Sequence, residues 1–206
     1  MRAPEFRLCL VSDRNQTRGR DLLWVLEQGL RGGVRAVQLR EKDLSGRELF
    51  LLAEKAKALC EKYGAALFIN DRIDIALAID AEGVQLAGSS VPVDAARALL
   101  GEKKSIGVST HALEEAQSAA GAGADFILFG PVYFTPSKAA YGAPQGLELL
   151  REVAQNVSCP VYAIGGINAR NLGAVKETGV RGVALISAVL SAGDPRQAAE
   201  ELTRLL

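Results

Sequence analysis

Short apolar runs recur along this chain: Leu8–Val11, Ala36–Leu39, Ala66–Ile69, Gly83–Leu86, Ser105–Val108, Phe126–Phe129, Val161–Ile164 and Gly182–Ile186. They are rich in Val, Ile and Leu and do not alternate apolar with polar. That is the pattern of a strand buried on both faces, as in a parallel sheet covered by helices. Between the runs lie amphipathic segments with helical spacing: Asp21–Arg31, Ser45–Tyr63, Ile73–Asp80, Val93–Leu100, Leu113–Gly121, Gly146–Gln155, Ala169–Thr178 and Pro195–Leu206. Ser45 with Glu48 predicts a capping box at the start of the second helix. Sequential βα units cross over right-handed, and eight of them close naturally into a barrel. The expectation is an α/β chain forming a single-domain, compact (β/α)₈ TIM barrel over residues 1–206. A doubly wound open sheet is the alternative, because strand count alone does not show closure.

Composition narrows the function classes. With 206 residues and 49% hydrophobic positions, the chain can bury a sizeable core. Lys+Arg and Asp+Glu number 24 each, so the formal charge is zero and no basic excess points to nucleic acid or a membrane surface. The 3 cysteines, Cys9, Cys60 and Cys159, are far apart and form neither a disulfide framework nor a metal-ligand spacing. The first residues lack the apolar run of a signal peptide, and no stretch is long and apolar enough to span a membrane. A cytoplasmic location is the resulting expectation.

In a barrel of this kind the chemistry sits at the C-terminal ends of the strands. Reading just past each run finds Ser12-Asp13-Arg14, Arg40-Glu41-Lys42, Asn70-Asp71-Arg72, Ala87-Gly88-Ser89-Ser90, Ser109-Thr110-His111, Gly130 through Lys138, Gly165-Gly166 and Ser187. The opposite loops are plainer. Gly165-Gly166, after the seventh strand, would let backbone N–H groups approach a phosphate, with Ser187 completing the site; a tight turn is the simpler alternative. Strand alternation would send Gln38, Arg40 and Lys42 to one side, a set suited to a pyrophosphate, or else a solvated charge cluster. Asp71 is a natural Mg²⁺ ligand beside a polyphosphate, or equally a helix cap. His111, the chain's 1 histidine, stands where an acid–base role is credible, although lone histidines are more often structural. The long segment from Gly130 to Gln145 brings Thr135, Ser137 and Lys138, suggesting a ligand clamp or an incidental crossover.

Taken in order, several motifs carry a resemblance. They are Gln38-Leu39-Arg40-Glu41-Lys42, Asn70-Asp71-Arg72, Gly107-Val108-Ser109-Thr110-His111, Phe129-Gly130-Pro131-Val132 with Thr135-Pro136-Ser137-Lys138, and Ala163-Ile164-Gly165-Gly166-Ile167. Over essentially its full length the chain resembles the thiamine phosphate synthase/TenI superfamily. The resemblance implies a TIM-barrel transferase that couples hydroxymethylpyrimidine diphosphate to thiazole phosphate and releases pyrophosphate. It implies that Gln38, Arg40, Lys42, Asn70 and Lys138 hold the diphosphate, that Asp71 ligates Mg²⁺, and that Ser109 contacts the pyrimidine. Thr135, Ser137, Gly165, Gly166, Ile186 and Ser187 would hold the thiazole phosphate. Among these, Arg40, Lys42, Ser109, His111 and Lys138 are the expected catalytic groups. Barrels of this kind often pair, so a homodimer is the oligomeric expectation.

One stretch departs from the pattern. Where synthases show His-Leu-Gly-Gln and then an acidic pair supplying a second Mg²⁺ ligand, this chain reads Gln85-Leu86-Ala87-Gly88-Ser89-Ser90. Ser90 stands in place of the second carboxylate, which implies weaker metal binding. The same stretch is similar to the TenI-type thiazole tautomerases, metal-independent isomerases with an acid–base histidine at the position of His111. The diphosphate-binding set favours the synthase. A tautomerase and a non-catalytic barrel that binds thiazole or thiamine phosphate are the alternatives.

Overall fold

The computed structural model describes residues 6–135 and 143–206. Eight strands alternate with helices: β1 (Leu8–Val11), β2 (Ala36–Leu39), β3 (Ala66–Asn70), β4 (Gly83–Leu86), β5 (Ser105–Thr110), β6 (Phe126–Phe129), β7 (Val161–Ile164) and β8 (Gly182–Leu185). All neighbouring pairs are parallel, and β8 pairs with β1, so the sheet closes. This is the expected (β/α)₈ barrel, and the open-sheet alternative is excluded. The helices are α1 (Leu22–Arg31), α2 (Gly46–Lys62), α3 (Ile73–Ala78), α4 (Val93–Leu100), α5 (Leu113–Gly121), α6 (Gly146–Asn156), α7 (Leu172–Lys176), α8 (Ser187–Leu190) and α9 (Pro195–Leu205). No helix among the described residues is long and apolar enough to cross a membrane.

Alternation along the strands builds two cores. Outward residues such as Leu8, Leu10, Val37, Leu39, Leu67 and Ile69 pack beneath the helices. Inward residues fill the barrel: Cys9, Val11, Ala36, Phe68, Phe126, Leu128, Tyr162 and Ala184, with Phe6 closing the N-terminal end. Phe6 stacks on Tyr162 at 4.5 Å between ring centroids and meets Phe126 edge-on at 5.8 Å. The Tyr162 hydroxyl donates to the Phe6 carbonyl at 3.0 Å. Gly107 makes room for this cluster, because a Cβ there would lie 2.3 Å from Phe126 Cζ. The bottom of the barrel is therefore an aromatic plug and not a pore.

Helix starts follow local chemistry. The Ser45–Glu48 capping box is formed in both directions, Asp21 caps α1 through the Trp24 N–H, and Asp194 caps α9 ahead of Pro195. Two expectations are corrected at the end of the chain. The seventh helix, expected from Ala169, begins only at Leu172. Residues 168–171 instead form a side-chain-closed turn, with the Asn168 N–H on Asn171 Oδ1 at 2.8 Å and the Arg170 N–H on Asn168 Oδ1 at 3.0 Å. The last strand stops at Leu185; Ile186 becomes the N-cap of α8, a four-residue helix too short to show a helical period.

Candidate active site

Above the aromatic plug, at the C-terminal end of the barrel, the inward positions turn polar. Gln38 of β2 and Gln85 of β4 are buried, at 4% and 2% exposure. Burying amides is unfavourable unless they are hydrogen-bonded, and both find partners on the next strand. Gln38 Nε2 donates to Asn70 Oδ1 at 3.1 Å, and Gln85 Nε2 donates to Ser109 Oγ at 3.0 Å. Strands β2 to β5 thus present one polar rim to the barrel mouth. The Asn70 amide is oriented by Gln38, so that its Nδ2 donates to Asp71 Oδ2 at 3.3 Å.

Asp71 follows in a left-handed conformation, φ +62°, which is uncommon for a non-glycine residue and concentrates at functional sites. Its N–H holds the Gln85 carbonyl at 3.0 Å, tying the turn to β4. The carboxylate accepts the Ser90 hydroxyl on Oδ1, while Ser90 Oγ takes the Ala87 N–H at 2.6 Å. The helix-cap alternative fails, because α3 is capped at Arg72 and carries no side-chain cap bond. Arg72 is engaged with Asp74 at 2.5 Å. Among the described residues Asp71 has no cationic partner.

The β2–α2 connection departs from the alternation argument. Only Gln38 lies in the strand; Arg40 and Lys42 follow its end, half-buried and exposed respectively. They belong to the turn after the strand and not to the barrel wall. Glu41 between them is buried at 4%, a residue the sequence reading left without a role. Ser12, fully buried at the end of β1, donates to Glu41 Oε1 at 2.6 Å and accepts the Arg40 N–H at 2.8 Å. The signal for this anchor was weak, a hydroxyl just past a strand, with its partner 29 residues away.

On the other side of the mouth, the β6–α6 loop docks on the end of β7. The Val132 and Tyr133 N–H groups bond the Ile164 and Gly165 carbonyls at 2.9 and 3.0 Å. Gly165 and Gly166 are both left-handed, at φ +101° and +67°. A Cβ at Gly166 would sit 2.7 Å from Tyr133 Cβ and 2.9 Å from the Phe134 carbonyl oxygen. The pair is glycine because backbone conformation and loop packing both demand it. Asn171 Nδ2 fixes the Gly166 carbonyl at 3.0 Å. The Thr135 hydroxyl is buried with no hydrogen-bond partner among the described residues, as is that of Thr110 at the end of β5. Ser187 opens α8, whose first N–H groups have no intrahelical acceptor. His111 Nδ1 donates to the Gly130 carbonyl, which in the neutral ring makes Nε2 the lone-pair nitrogen. Ser137 and Lys138 lie outside the described residues.

The strand ends therefore carry an amide rim, a carboxylate with no cationic partner among the described residues, two cations and a glycine turn beside a hydroxyl. The family model for thiamine monophosphate synthase matches residues 8–189. A Geobacter sulfurreducens relative is 51% identical over 202 residues, 98% of this chain and 95% of its own.

The chain belongs to the thiamine monophosphate synthase family.

A relative from Alkaliphilus oremlandii named thiamine-phosphate synthase is 46% identical, covering 96% of this chain and 94% of its own. The solved thiamine phosphate pyrophosphorylase of Pyrococcus furiosus superposes with a TM-score of 0.88 at 39% identity, covering 97% of this chain and 95% of that one. A 3-hexulose-6-phosphate synthase matches at a TM-score of 0.71 and 20% identity, sharing the barrel alone.

Proposed function

We propose that this family member is a thiamine-phosphate synthase, joining hydroxymethylpyrimidine diphosphate to thiazole phosphate with release of pyrophosphate. The observation that carries this reading is Asp71, a carboxylate with no cationic partner among the described residues, held by Asn70 and Ser90 at the strand ends that also carry Arg40 and Lys42. An anionic group in that setting suits a bound cation–diphosphate pair. The name and coverage of the Alkaliphilus relative support the same activity.

In this reading Gln38, Arg40, Lys42, Asn70 and Lys138 hold the diphosphate, and Ser109, fixed by Gln85, faces the pyrimidine. Thr135, Ser137, Gly165, Gly166, Ile186 and Ser187 take the thiazole phosphate; the Thr135 hydroxyl, buried with no partner among the described residues, and the α8 amides are the supporting observations. The pyrimidine C–O bond breaks with its electron pair leaving on the diphosphate, and the thiazole nitrogen lone pair forms the new C–N bond. Arg40 and Lys42 stabilise the charge that develops on the departing group. No side chain needs to accept a proton.

Among the described residues no three His, Cys, Asp or Glu side chains form a metal cage. Mg²⁺ does not need one, since it keeps waters and binds through one or two carboxylates plus substrate phosphates. Asp71, with the Ser90 hydroxyl beside it, fits that role. When bound, the ion would neutralise diphosphate oxygens as the leaving group departs.

The test is a coupling assay with both substrates across a magnesium series. Formation of thiamine phosphate is the expected result. No product at any magnesium level, together with metal-free aromatisation of the thiazole tautomer, would replace this reading with the tautomerase. Binding of thiazole phosphate without either turnover would indicate a sensor.

A further inference from the structure

The turn after β2 reads Arg40-Glu41-Lys42-Asp43, two cations alternating with two carboxylates. Paired locally, these charges would cancel, and the turn would offer little to an anion. In the folded chain they are sorted. Arg14, in the 3₁₀ turn Arg14–Gln16 after β1, takes both acids. Its NH1 and NH2 grip the two Asp43 oxygens at 2.7 Å each, a bidentate fork. The same NH1 lies 3.4 Å from Glu41 Oε2, and the Arg14 N–H reaches that oxygen at 3.2 Å. Ser12 occupies the other Glu41 oxygen and also holds the Arg40 N–H. Arg40 and Lys42 are left with no carboxylate partner among the described residues.

We infer that Arg14 is a positioning residue for the diphosphate subsite, holding Glu41 and Asp43 away so that Arg40 and Lys42 stay unpaired for an incoming anion. Arginine suits the task and lysine does not, because only a planar fork binds one carboxylate in two places while touching a second. The inference rests on the synthase reading, since it takes Arg40 and Lys42 to be the diphosphate clamp. Arg14 itself is half-buried and already committed to two acids, so it acts through its neighbours and not on the substrate.

The experiment is calorimetric titration of inorganic pyrophosphate, with magnesium, into wild type, Arg14→Ala, Asp43→Asn and the Arg14→Ala/Asp43→Asn pair, each checked for a cooperative melt. Arg14→Ala should weaken pyrophosphate binding about tenfold, because a freed Asp43 competes for the neighbouring cations. Asp43→Asn alone should change binding little. In the double variant Asp43 no longer competes, and Glu41 keeps the Ser12 hydroxyl and the residue-14 backbone N–H, so affinity should return to within about threefold of wild type. Rescue of this kind is not what a purely structural arginine would give. In steady state, Arg14→Ala should raise KM for the diphosphate substrate more than it lowers kcat. An Arg14→Ala protein that binds as wild type, or a deficit that Asp43→Asn fails to restore, overturns the inference. A wild type that binds no pyrophosphate overturns the synthase reading itself, and the inference with it. Pyrophosphate binding by wild type that survives Arg40→Ala would point to a different clamp and overturn the inference, while leaving the synthase reading to the coupling assay.

Discussion

Ser90 donates its hydroxyl hydrogen to the carboxylate of Asp71, although 19 residues separate them. The contact means that any side chain at position 90 acts directly on the group proposed to hold Mg²⁺. A serine there is neutral and keeps one of the Asp71 oxygens occupied.

Ser90→Asp is therefore expected to lower the magnesium concentration needed for half-maximal coupling severalfold, by placing a second anionic oxygen at the ion. Without metal the same change sets two carboxylates side by side and should lower thermal stability. Asp71→Asn should reduce coupling by roughly 10²-fold or more in either background, if the ion supplies the several kcal/mol usual for such charge neutralisation. Magnesium titrations of initial rate, with melting curves with and without metal, check both. An unchanged magnesium dependence in Ser90→Asp would remove this position from the metal site.

Gly166→Ala tests the glycine turn. The left-handed backbone costs an alanine about 1–2 kcal/mol, and the Cβ must also displace Tyr133 or the Phe134 carbonyl. For a chain of this size that predicts a fall in Tm of about 2–8 °C. Thiazole phosphate should bind at least roughly tenfold more weakly, because the loop carrying Thr135 moves with Phe134. Gly173→Ala, in α7 with open space around its added Cβ, is the control and should be neutral or slightly stabilising. Equal thiazole phosphate affinities in wild type and Gly166→Ala would take the turn out of the site.

His111→Asn keeps a donor that can reach the Gly130 carbonyl but removes the lone-pair nitrogen. A synthase needs no proton transfer from this position, so coupling should fall by less than about tenfold. Loss of a true acid–base group would cost on the order of 10²-fold or more. A drop of that larger size in tautomer aromatisation, with coupling absent, would count for the isomerase.

Burial sets the behaviour of the thiols. It pushes Cys9 and Cys60 up to about 12 and Cys159 to about 11, from an ordinary 9.0. The native thiols should stay protonated and react slowly with disulfide reagents at pH 8, the half-buried Cys159 first. A pKa raised on folding gives stability that is whole below 9.0 and lost as pH climbs towards about 12. Urea unfolding at pH 7, 9 and 10.5 should show that decline, and a Cys9→Ala/Cys60→Ala variant should lose part of its slope. An identical slope in the variant would remove the thiols as its cause.

The strands were legible because their physics is local. A run such as Leu8–Val11 or Phe126–Phe129 must be buried on both faces, and only a helix-covered parallel sheet does that. Ser45 and Glu48 likewise set a helix start within four residues of chain. Residue type and place at a strand end were enough to single out Gln38, Asp71, Gly165 and Gly166, whereas Asn70 and Ser109 entered as binding residues through the family resemblance. Alternation failed for Arg40 and Lys42 because the strand ends at Leu39, and α8 was missed because four residues carry no period.

By itself, then, the sequence determined the eight-unit barrel pattern and the polar residues at its mouth, since burial period and turn chemistry act between near neighbours. Tertiary structure alone decided closure through the β1–β8 pairing, the grip of Ser90 on Asp71, and the sorting of the Arg40-Glu41-Lys42-Asp43 charges by Arg14. Each of these joins residues far apart in the chain. Which carboxylate a cation meets, and which hydroxyl reaches a carboxylate, depends on distances that exist only once the strands stand side by side.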